Sequence, residues 1–408
     1  MIPERFGPYT LLLHLATGGM GELHIAQRSG VAGFSKQVIL KRLRDELASD
    51  DEFIEMFLDE GRLAAMLDHP NIVHIYDLGE VNNTYFMAME YVHGGDLGHL
   101  LNHLGGRMDL SNALYVMRNV CEGLAFAHDA VGSGGKPLQL VHRDINPHNI
   151  LISNAGAVKI ADFGIAKVQQ RHREATRIGV LKGKFNYLSP EQARGMPVDR
   201  RCDIYALGLL LFELTTGHLA IPQGTDQQML EAATHGMLVQ PDELDAAYPK
   251  QLARIYRKAT AWRPEDRYQT ASALLEDLLE FQMDGRLLTT PQRLAQLVEH
   301  HFSQELERIR QTFSKVEQVG NHAEDQEEVT RIERPQAKYT TPKGLSPLES
   351  ADTVAFGEDE ETVAEPSPKP RGPLPTPDAL SRARTEALDE NEYAISAKPT
   401  EPEAGQFP

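Results

Sequence analysis

The chain has 408 residues, more than the roughly 150 of an average domain, and we therefore expect one large domain together with additional segments. Its hydrophobic fraction of 41% is enough for a sizeable core, and its net charge of −18 argues against a general nucleic-acid-binding surface. Only two cysteines are present, and no run of 18 or more apolar residues, so we predict neither a disulfide framework nor a membrane span. The N-terminus also lacks a basic segment followed by an apolar one, and we expect a soluble, cytoplasmic protein.

A glycine-rich turn lies near the N-terminus between two strand-like segments, residues 9–15 and 23–26. The turn, residues 17–21, reads Thr-Gly-Gly-Met-Gly, and glycine lets the backbone approach a phosphate while its N–H groups face it. On its own such a turn is weak evidence, because most glycine-rich turns are only turns. The residues predicted to contact a nucleotide here are Gly18, Gly19, Gly21 and Leu23.

A third predicted strand, residues 37–41, ends in Lys41 on an otherwise apolar run. A buried lysine is costly unless a partner neutralises it. In the following segment, residues 52–67, apolar positions recur at helical spacing and Glu60 lies among them. We predict that Glu60 pairs with Lys41 and leaves the ammonium directed at nucleotide phosphates. The alternative is that both are solvated surface charges.

Residues 86–95 read as an apolar strand that runs into a glycine-containing connector. We predict that the backbone of this connector, near Glu90 and Val92, contacts the adenine edge of the nucleotide. Together with the glycine turn and Lys41, the connector completes a candidate nucleotide site in the first part of the chain.

The strongest signal is a pair of short motifs. Residues 141–149 read Val-His-Arg-Asp-Ile-Asn-Pro-His-Asn, and residues 161–164 read Ala-Asp-Phe-Gly. Transfer of a γ-phosphoryl group needs a carboxylate that orients the attacking hydroxyl and oxygen ligands that hold magnesium, and these motifs supply them. Apolar runs at 150–153 and 158–161 predict a β-hairpin that brings the two acidic loops together. If Asp144 and Asp162 were ordinary loop carboxylates, both motifs would have to occur in register by chance.

With the glycine turn, the strand lysine, the helix glutamate, both motifs and a Ser-Pro-Glu segment at 189–191 in this order, the chain resembles the protein kinase superfamily over residues 9 to about 282. It is most similar to the eukaryotic-like serine/threonine kinases of bacteria. The resemblance implies an α+β, two-lobed kinase fold: an antiparallel β-sheet N-lobe with one helix (9–90) and a mainly α-helical C-lobe (94–282). It also implies the use of ATP and Mg²⁺ on protein substrates.

The resemblance further implies roles for individual residues. Asp144 corresponds to the catalytic base, and Asn149 and Asp162 correspond to the magnesium ligands. Asp203 resembles a buried aspartate that braces the catalytic loop. Arg267 resembles the structural partner of the glutamate in the Ser-Pro-Glu segment, residue 191.

Besides Ala16 in the glycine loop and Ile39 on the lysine strand, two positions that bear on catalysis depart from the family pattern. The lysine expected two residues after the catalytic aspartate is Asn146, and the threonine expected after the glycine at 183 is Lys184. In the family that lysine touches the γ-phosphate, so its loss should reduce transition-state stabilisation. His148 is close enough in sequence to compensate in part, and we conjecture that Lys184 restores the positive charge from the opposite wall.

Three functions are consistent with these residues. We predict a protein kinase that phosphorylates Ser and Thr side chains, and also itself, in intracellular signalling. A pseudokinase acting as a nucleotide-binding scaffold would account for Asn146 and Lys184, but a scaffold has no need of the complete lysine, base and magnesium set. A kinase-like enzyme for a small molecule is disfavoured by the Ser-Pro-Glu segment, which in the family shapes the bound peptide.

A regulatory threonine is also predicted. Arg143 directly precedes the catalytic aspartate, and in the family this arginine couples the base to a phosphorylated activation segment. Thr176 is the only hydroxyl side chain between residues 164 and 183, and three arginines surround it. We predict that phosphate on Thr176 orders this loop against Arg143. The alternative is an ordinary solvated threonine.

The C-terminal part differs in composition from the rest. Residues 288–318 carry apolar positions at helical spacing and predict an accessory amphipathic helix, packed on the larger lobe rather than on a partner. Of the 24 prolines, 12 lie within residues 321–408, where 19 acidic side chains outnumber 9 basic ones, and we predict a disordered, Pro-rich acidic tail over 319–408. Two similar tetrapeptides, 352–355 and 361–364, could carry phosphothreonines that bind a reader protein, or could be spacer.

One pair of histidines has a spacing that suits a metal site. His99 and His103 lie four residues apart on a probable helix, the spacing that places two side chains on one face. Because no third ligand is suggested nearby, we expect two exposed histidines and no metal.

Overall fold

The computed structural model describes residues 4–30, 34–48, 50–132, 134–163, 184–327 and 339–340, with residues 184, 314–327 and 339–340 described by their backbone alone. Within these residues the chain forms one lobe built on a β-sheet and a second, mainly helical lobe. The predicted α+β, two-lobed architecture is thus observed. Among the described residues, no helix combines the length and apolarity that crossing a bilayer demands.

The N-lobe is an antiparallel sheet of strands that follow one another along the chain, except that the fifth and sixth exchange places, in the order β1-β2-β3-β4-β6-β5. These strands are β1 (Glu4–Phe6), β2 (Tyr9–Thr17), β3 (Gly21–Ser29), β4 (Ser35–Leu43), β5 (Ile75–Val81) and β6 (Thr84–Glu90). The register places Leu23 of β3 opposite both Ala16 and Lys41. The glycine turn and the strand lysine are therefore neighbours across one strand.

One helix, α1 (Asp51–Ala64), packs on this sheet. It begins where the side chain of Asp50 accepts a hydrogen bond from the backbone N–H of Glu52, which satisfies a helix N-terminal donor. A Cβ on Gly61 would lie 2.8 Å from a methyl carbon of Leu78 and 2.9 Å from that of Met87, so only glycine permits this close approach. The close packing brings the preceding residue, Glu60, against the sheet.

The C-lobe is built around two nearly completely buried helices. Its helices are α2 (Leu97–His103), α3 (Leu110–His128), α4 (Pro190–Ala193), α5 (Arg201–Thr216), α6 (Asp226–His235), α7 (Pro241–Leu244), α8 (Lys250–Ala259), α9 (Ala271–Asp284) and α10 (Pro291–Glu327). Helices α3 and α5 are apolar on most faces, because other elements cover them on all sides. Their packing supplies a rigid base for the loops above them.

A small antiparallel sheet lies in the C-lobe and contributes side chains to the core of that lobe. It consists of β7 (Gly94–Asp96), β8 (Ile150–Ser153) and β9 (Val158–Ile160). Strands β8 and β9 form the predicted hairpin, with Ile150 opposite Ile160, and its turn uses Gly156 at a φ of +81°. Such a positive φ favours glycine. The hairpin places the segments that precede β8 and follow β9 side by side.

The accessory helix α10 packs on the larger lobe, as predicted, through Leu294, Val298, Phe302 and Leu306. It begins at Pro291 rather than 288 and continues to Glu327 rather than ending at 318. It therefore enters the segment for which we predicted disorder, as does a short strand β10 (Tyr339–Thr340) that pairs with β5. The tail from 341 onward, including both tetrapeptides, lies outside the described residues.

Candidate active site

Lys41 lies between two carboxylates where the lobes meet. Its Nζ is 2.7 Å from Oε1 of Glu60 on α1 and 3.3 Å from Oδ1 of Asp162, which follows β9. The predicted pairing of Lys41 with Glu60 is confirmed. Burial by itself would lower the pKa of Lys41, but the charges of Asp162 and Glu60 outweigh burial and hold that pKa above its usual value. Lys41 is therefore a stable cation within an apolar strand.

A buried carboxylate binds the backbone of the catalytic loop, residues 141–149. Asp203, on α5, accepts hydrogen bonds from the backbone N–H groups of His142 (2.7 Å) and Arg143 (2.6 Å). Its Oδ2 also lies 2.9 Å from Nε2 of His128 at the end of α3. Arg143 has a φ of +66°, which is strained for a residue with a Cβ, and these bonds hold it there. The predicted bracing contact of Asp203 is present.

Burial and hydrogen bonding oppose one another at Asp203. Complete burial acts to raise the pKa of its carboxyl group. The hydrogen bond and charge of His128, together with the backbone donor of His142, outweigh burial and keep that pKa below its ordinary value of 3.8. Asp203 is therefore an anion in the core of the C-lobe.

Asp144 and Asn149 lie in direct contact. The amide nitrogen of Asn149 donates to Oδ2 of Asp144 at 2.7 Å and to the Asp144 backbone carbonyl at 2.8 Å. This orientation leaves the amide oxygen of Asn149 for another partner, and oxygen is the donor that magnesium prefers. The backbone N–H of Ala161 donates to the carbonyl of Asn149 at 2.8 Å, so the Asp144–Asn149 pair lies beside Asp162, the partner of Lys41. The carboxylate and amide oxygens of Asp162 and Asn149 are the donor types that magnesium prefers.

Asn146, which replaces the lysine of the family, supports the loop. Its side-chain oxygen accepts the backbone N–H of His148 at 2.9 Å, and its nitrogen donates to the carbonyl of Asp144 at 2.9 Å. The ring of His148 bonds Asp96 at 2.9 Å, so it does not take the place of the missing lysine as we suggested. The side chain of Lys184 lies outside the described residues, and its proposed compensation stays a prediction.

The glycine turn is shaped partly by the sheet itself. A Cβ on Gly21 would lie 2.7 Å from the carbonyl oxygen of Arg42 on β4, so glycine is required there for strand packing. The backbone N–H of Gly18 donates to the carbonyl of Gly21 at 2.8 Å. A Cβ on Gly19 would meet no atom within 4 Å, which leaves this position open toward a ligand.

The connector between the lobes is partly committed to protein contacts. The backbone N–H of Glu90 donates to the carbonyl of His74 at 2.8 Å, so this donor is not available to an adenine ring. The side chain of Glu90 lies 3.0 Å from Nζ of Lys159. Val92 is half-buried against the N-lobe core. Contact of the connector with adenine stays a prediction.

The glutamate of the Ser-Pro-Glu segment has the predicted partner. Both terminal nitrogens of Arg267 bond the carboxylate of Glu191, at 2.7 and 2.8 Å, and both side chains are buried. Gln192 was not predicted from the sequence; its amide donates to the backbone carbonyl of Arg143 at 2.9 Å. His128 was not predicted either, because the 75 residues between it and Asp203 leave no local signal.

The predicted regulatory segment lies outside the described residues. This applies to the glycine of the Asp-Phe-Gly motif at 164 and to Thr176 with its flanking arginines. The Nε atom of Arg143 is buried and has no hydrogen-bond partner among the residues that the structure describes.

Comparisons with known proteins agree with this geometry. The protein kinase domain model matches residues 11–303, which extends past the predicted boundary at 282. Tyrosine-protein kinase MasK of Myxococcus xanthus is 42% identical over 305 residues, 74% of this chain and 47% of that protein. Serine/threonine-protein kinase PrkC of Bacillus subtilis is 38% identical over 274 residues, 67% of this chain and 40% of that protein. The chain thus spans less than half the length of these curated relatives.

A similar fold is found among solved structures. A point mutant of the kinase domain of Mycobacterium tuberculosis PknI aligns with a TM-score of 0.52 and 27% sequence identity, over 69% of this chain and 98% of that domain. The family match extends over most of the chain and includes every residue of the site above. We conclude that the chain belongs to the protein kinase family, with bacterial serine/threonine kinases among its relatives.

Proposed function

We propose that this protein transfers the γ-phosphoryl group of ATP to Ser and Thr hydroxyls of proteins, including itself, in intracellular signalling. The observation that carries the proposal is the convergence of a charged lysine with its glutamate, an aspartate next to that lysine, and a second aspartate bonded to an asparagine. A protein that only scaffolds has no physical reason to maintain all of these contacts, since a buried lysine between carboxylates is costly to assemble.

Each side chain then has a defined task in the transfer. The ammonium of Lys41, oriented by Glu60, binds phosphate oxygens of ATP. Asp144 orients the attacking hydroxyl and receives its proton as the new bond to phosphorus forms and the bond to the leaving ADP oxygen breaks. Asp162 and the amide oxygen of Asn149 would hold magnesium, which when bound neutralises charge on the phosphates.

The class of acceptor, Ser and Thr rather than Tyr, is proposed from the relatives and not from the site geometry. Relatives with 35–38% identity carry names of serine/threonine kinases, whereas the relative from Myxococcus xanthus is named a tyrosine kinase. Asn146 and Lys184 occupy two positions that help distinguish acceptors in the family. We propose Ser/Thr from the greater number of such relatives and from the overall resemblance.

The test is transfer of labelled phosphate from Mg-ATP to the protein itself and to a generic basic protein, followed by phosphoamino-acid analysis. We expect phosphoserine and phosphothreonine, and a loss of about 10²- to 10⁴-fold in Asp144→Asn, because the base is removed without loss of volume. Asp284→Asn, at an exposed position near the end of α9, is the matched control and should keep full activity.

Each other outcome selects a different function. Mainly phosphotyrosine would replace the proposed acceptor class. Nucleotide binding without any transfer by the wild type would favour the pseudokinase, for which the lack of a cation at Asn146 is the supporting observation. Phosphosite mapping of the same reaction should find Thr176, since phosphate there would supply a partner for the buried Nε of Arg143.

A further inference from the structure

Three potential metal ligands meet beside the catalytic loop: Asp96, His99 and His148. Their ligand atoms all lie within 4.8 Å of one another. Oδ1 of Asp96 is 2.9 Å from Nδ1 of His148, and Oδ2 of Asp96 contacts Nδ1 of His99. The two imidazole rings are 5.6 Å apart between centroids. His99 and His103 are both exposed, as predicted, and His99 lies with Asp96 and His148 rather than with His103.

The position of each ligand is set by backbone structure. Asp96 caps α2, because its Oδ1 accepts the backbone N–H of His99 at 3.0 Å. It is also the last residue of β7 and pairs with Leu151 of β8, which places it next to the segment that carries His148. Asn146 holds the backbone of His148 from the other side. The three ligands therefore come together on two segments that a β-ladder connects.

Gly98 makes room for the third ligand. A Cβ at this position would lie 2.5 to 2.9 Å from three atoms of the His148 imidazole. Any other residue would displace the ring from Asp96, because real Cβ atoms do not approach this closely. The ring of His148 therefore lies in a space that the absence of one side chain leaves open.

We propose that Asp96, His99 and His148 bind a divalent transition-metal ion, with Zn²⁺ as the best match. Two imidazoles and one carboxylate are a donor set of three-ligand zinc sites, which keep a fourth position for water or another ligand. Imidazole nitrogens favour Zn²⁺, Cu²⁺ or Ni²⁺ over Mg²⁺, so the site differs in chemistry from the predicted magnesium ligands Asn149 and Asp162. The ion would replace the direct contacts between the carboxylate and the two rings.

The solvent exposure of the three ligand side chains is consistent with an ion that exchanges with solvent. The side chains of His99 and His148 are 65% and 63% exposed, whereas that of Asp96 is 18% exposed. An ion can therefore enter from solvent and meet a carboxylate that is already oriented. Because His148 directly precedes Asn149, the bound ion would connect α2 to the loop that carries Asp144. The site requires no kinase activity, and its test is independent of the proposed function.

The experiment is a titration of the tag-free full chain, after treatment with a chelator, with Zn²⁺ by calorimetry and with Co²⁺ by visible absorption. We expect one site with a dissociation constant below about 10 μM and the intense absorption bands of four-coordinate Co²⁺. His148→Ala and His99→Ala should each weaken this site at least tenfold. His103→Ala should leave it unchanged, because His103 stacks on His301 and lies edge-on to Phe302 instead.

Each alternative outcome would overturn the proposal. Binding that survives His148→Ala, or that is lost in His103→Ala, would show that other histidines hold the ion. The absence of a stoichiometric site in the wild type would leave the cluster as hydrogen-bonded ion pairs.

Circular dichroism of each variant, compared with the wild type, establishes that a loss of binding does not come from unfolding. A gain of thermal stability on adding Zn²⁺, absent in His148→Ala, would support the site independently.

Discussion

At the scale of single residues, the chemistry depends on charges that protein partners maintain. Lys41 is surrounded by apolar strand residues and would lose its proton more readily if it were alone. Glu60 and Asp162 prevent this, and they also fix the direction of the ammonium. The contact of Lys41 with Asp162, at 3.3 Å, is longer than its contact with Glu60, at 2.7 Å, and the side chain of Asp162 is 41% exposed, against 8% for Glu60.

The ion pair between Lys41 and Glu60 predicts the effect of neutralising Glu60. Glu60→Gln should lower kcat by about 10²- to 10³-fold, because Lys41 then moves toward Asp162 and loses its orientation to the phosphates. Glu55→Gln is the matched control, since Glu55 lies on the same helix but is exposed. Steady-state measurement of kcat for both variants on one protein substrate tests this prediction. Equal rates for the two would contradict the assigned role of Glu60.

At the scale of elements, helix α10 contacts the connector and the N-lobe as well as the larger lobe. Its Phe302 ring lies so close to Gly95 of β7 that a Cβ there would be 2.7 Å from it. Further along, Phe313 lies edge-on to Tyr91 of the connector, with ring centroids 6.4 Å apart. The helix also approaches β2 in the N-lobe. It therefore runs along the connector and contacts elements of both lobes.

The buried position of Phe302 leads to a stability prediction. Phe302→Ala should reduce the free energy of unfolding by about 3–5 kcal/mol, because it leaves a cavity between α10 and β7. Phe34→Ala, at a position 64% exposed, should change it by less than about 0.5 kcal/mol. Urea unfolding monitored by circular dichroism measures both. If Phe302→Ala were as stable as the wild type, α10 would not be part of the folded core in solution.

At the scale of the whole molecule, ion pairs between distant parts of the chain hold the C-lobe together. Asp203 connects α5, the end of α3 and the catalytic loop, and Arg267 connects Glu191 with the segment after α8. Asp203 and Arg267 are both almost fully buried. Removing one partner of such a pair leaves an uncompensated charge in the core, and the cost exceeds that of any exposed pair.

Asp203 makes stability depend on pH in a defined direction. Because its pKa is lower in the folded chain than the ordinary 3.8, the stabilisation is fully present well above that value and is lost as pH falls through the folded pKa. Asp203→Asn should therefore be less stable at pH 7, and it should lose less of its stability than the wild type as pH falls from about 5 through 3.8 and below. Urea unfolding at several pH values measures this, with Asp284→Asn as control. Parallel pH profiles for Asp203→Asn and wild type would refute it.

The sequence alone was sufficient to predict the family, the two-lobed architecture and the set of residues at the junction of the lobes. Lys41, Asp144, Asn149 and Asp162 were identifiable because each lies in a short motif whose spacing is local and unaffected by packing. The β8–β9 hairpin was also predictable, since two apolar runs around a turn need no distant partner.

The partners of the remaining polar groups could be identified only in the folded chain. The direction of His148 depends on Asp96, which is 52 residues away, and on the missing side chain of Gly98. The support of the catalytic loop by His128 and the length of α10 depend likewise on contacts between remote segments. The physical reason is that hydrogen bonds and close packing form between neighbours in space, and residues distant in the chain become neighbours only when the chain has folded.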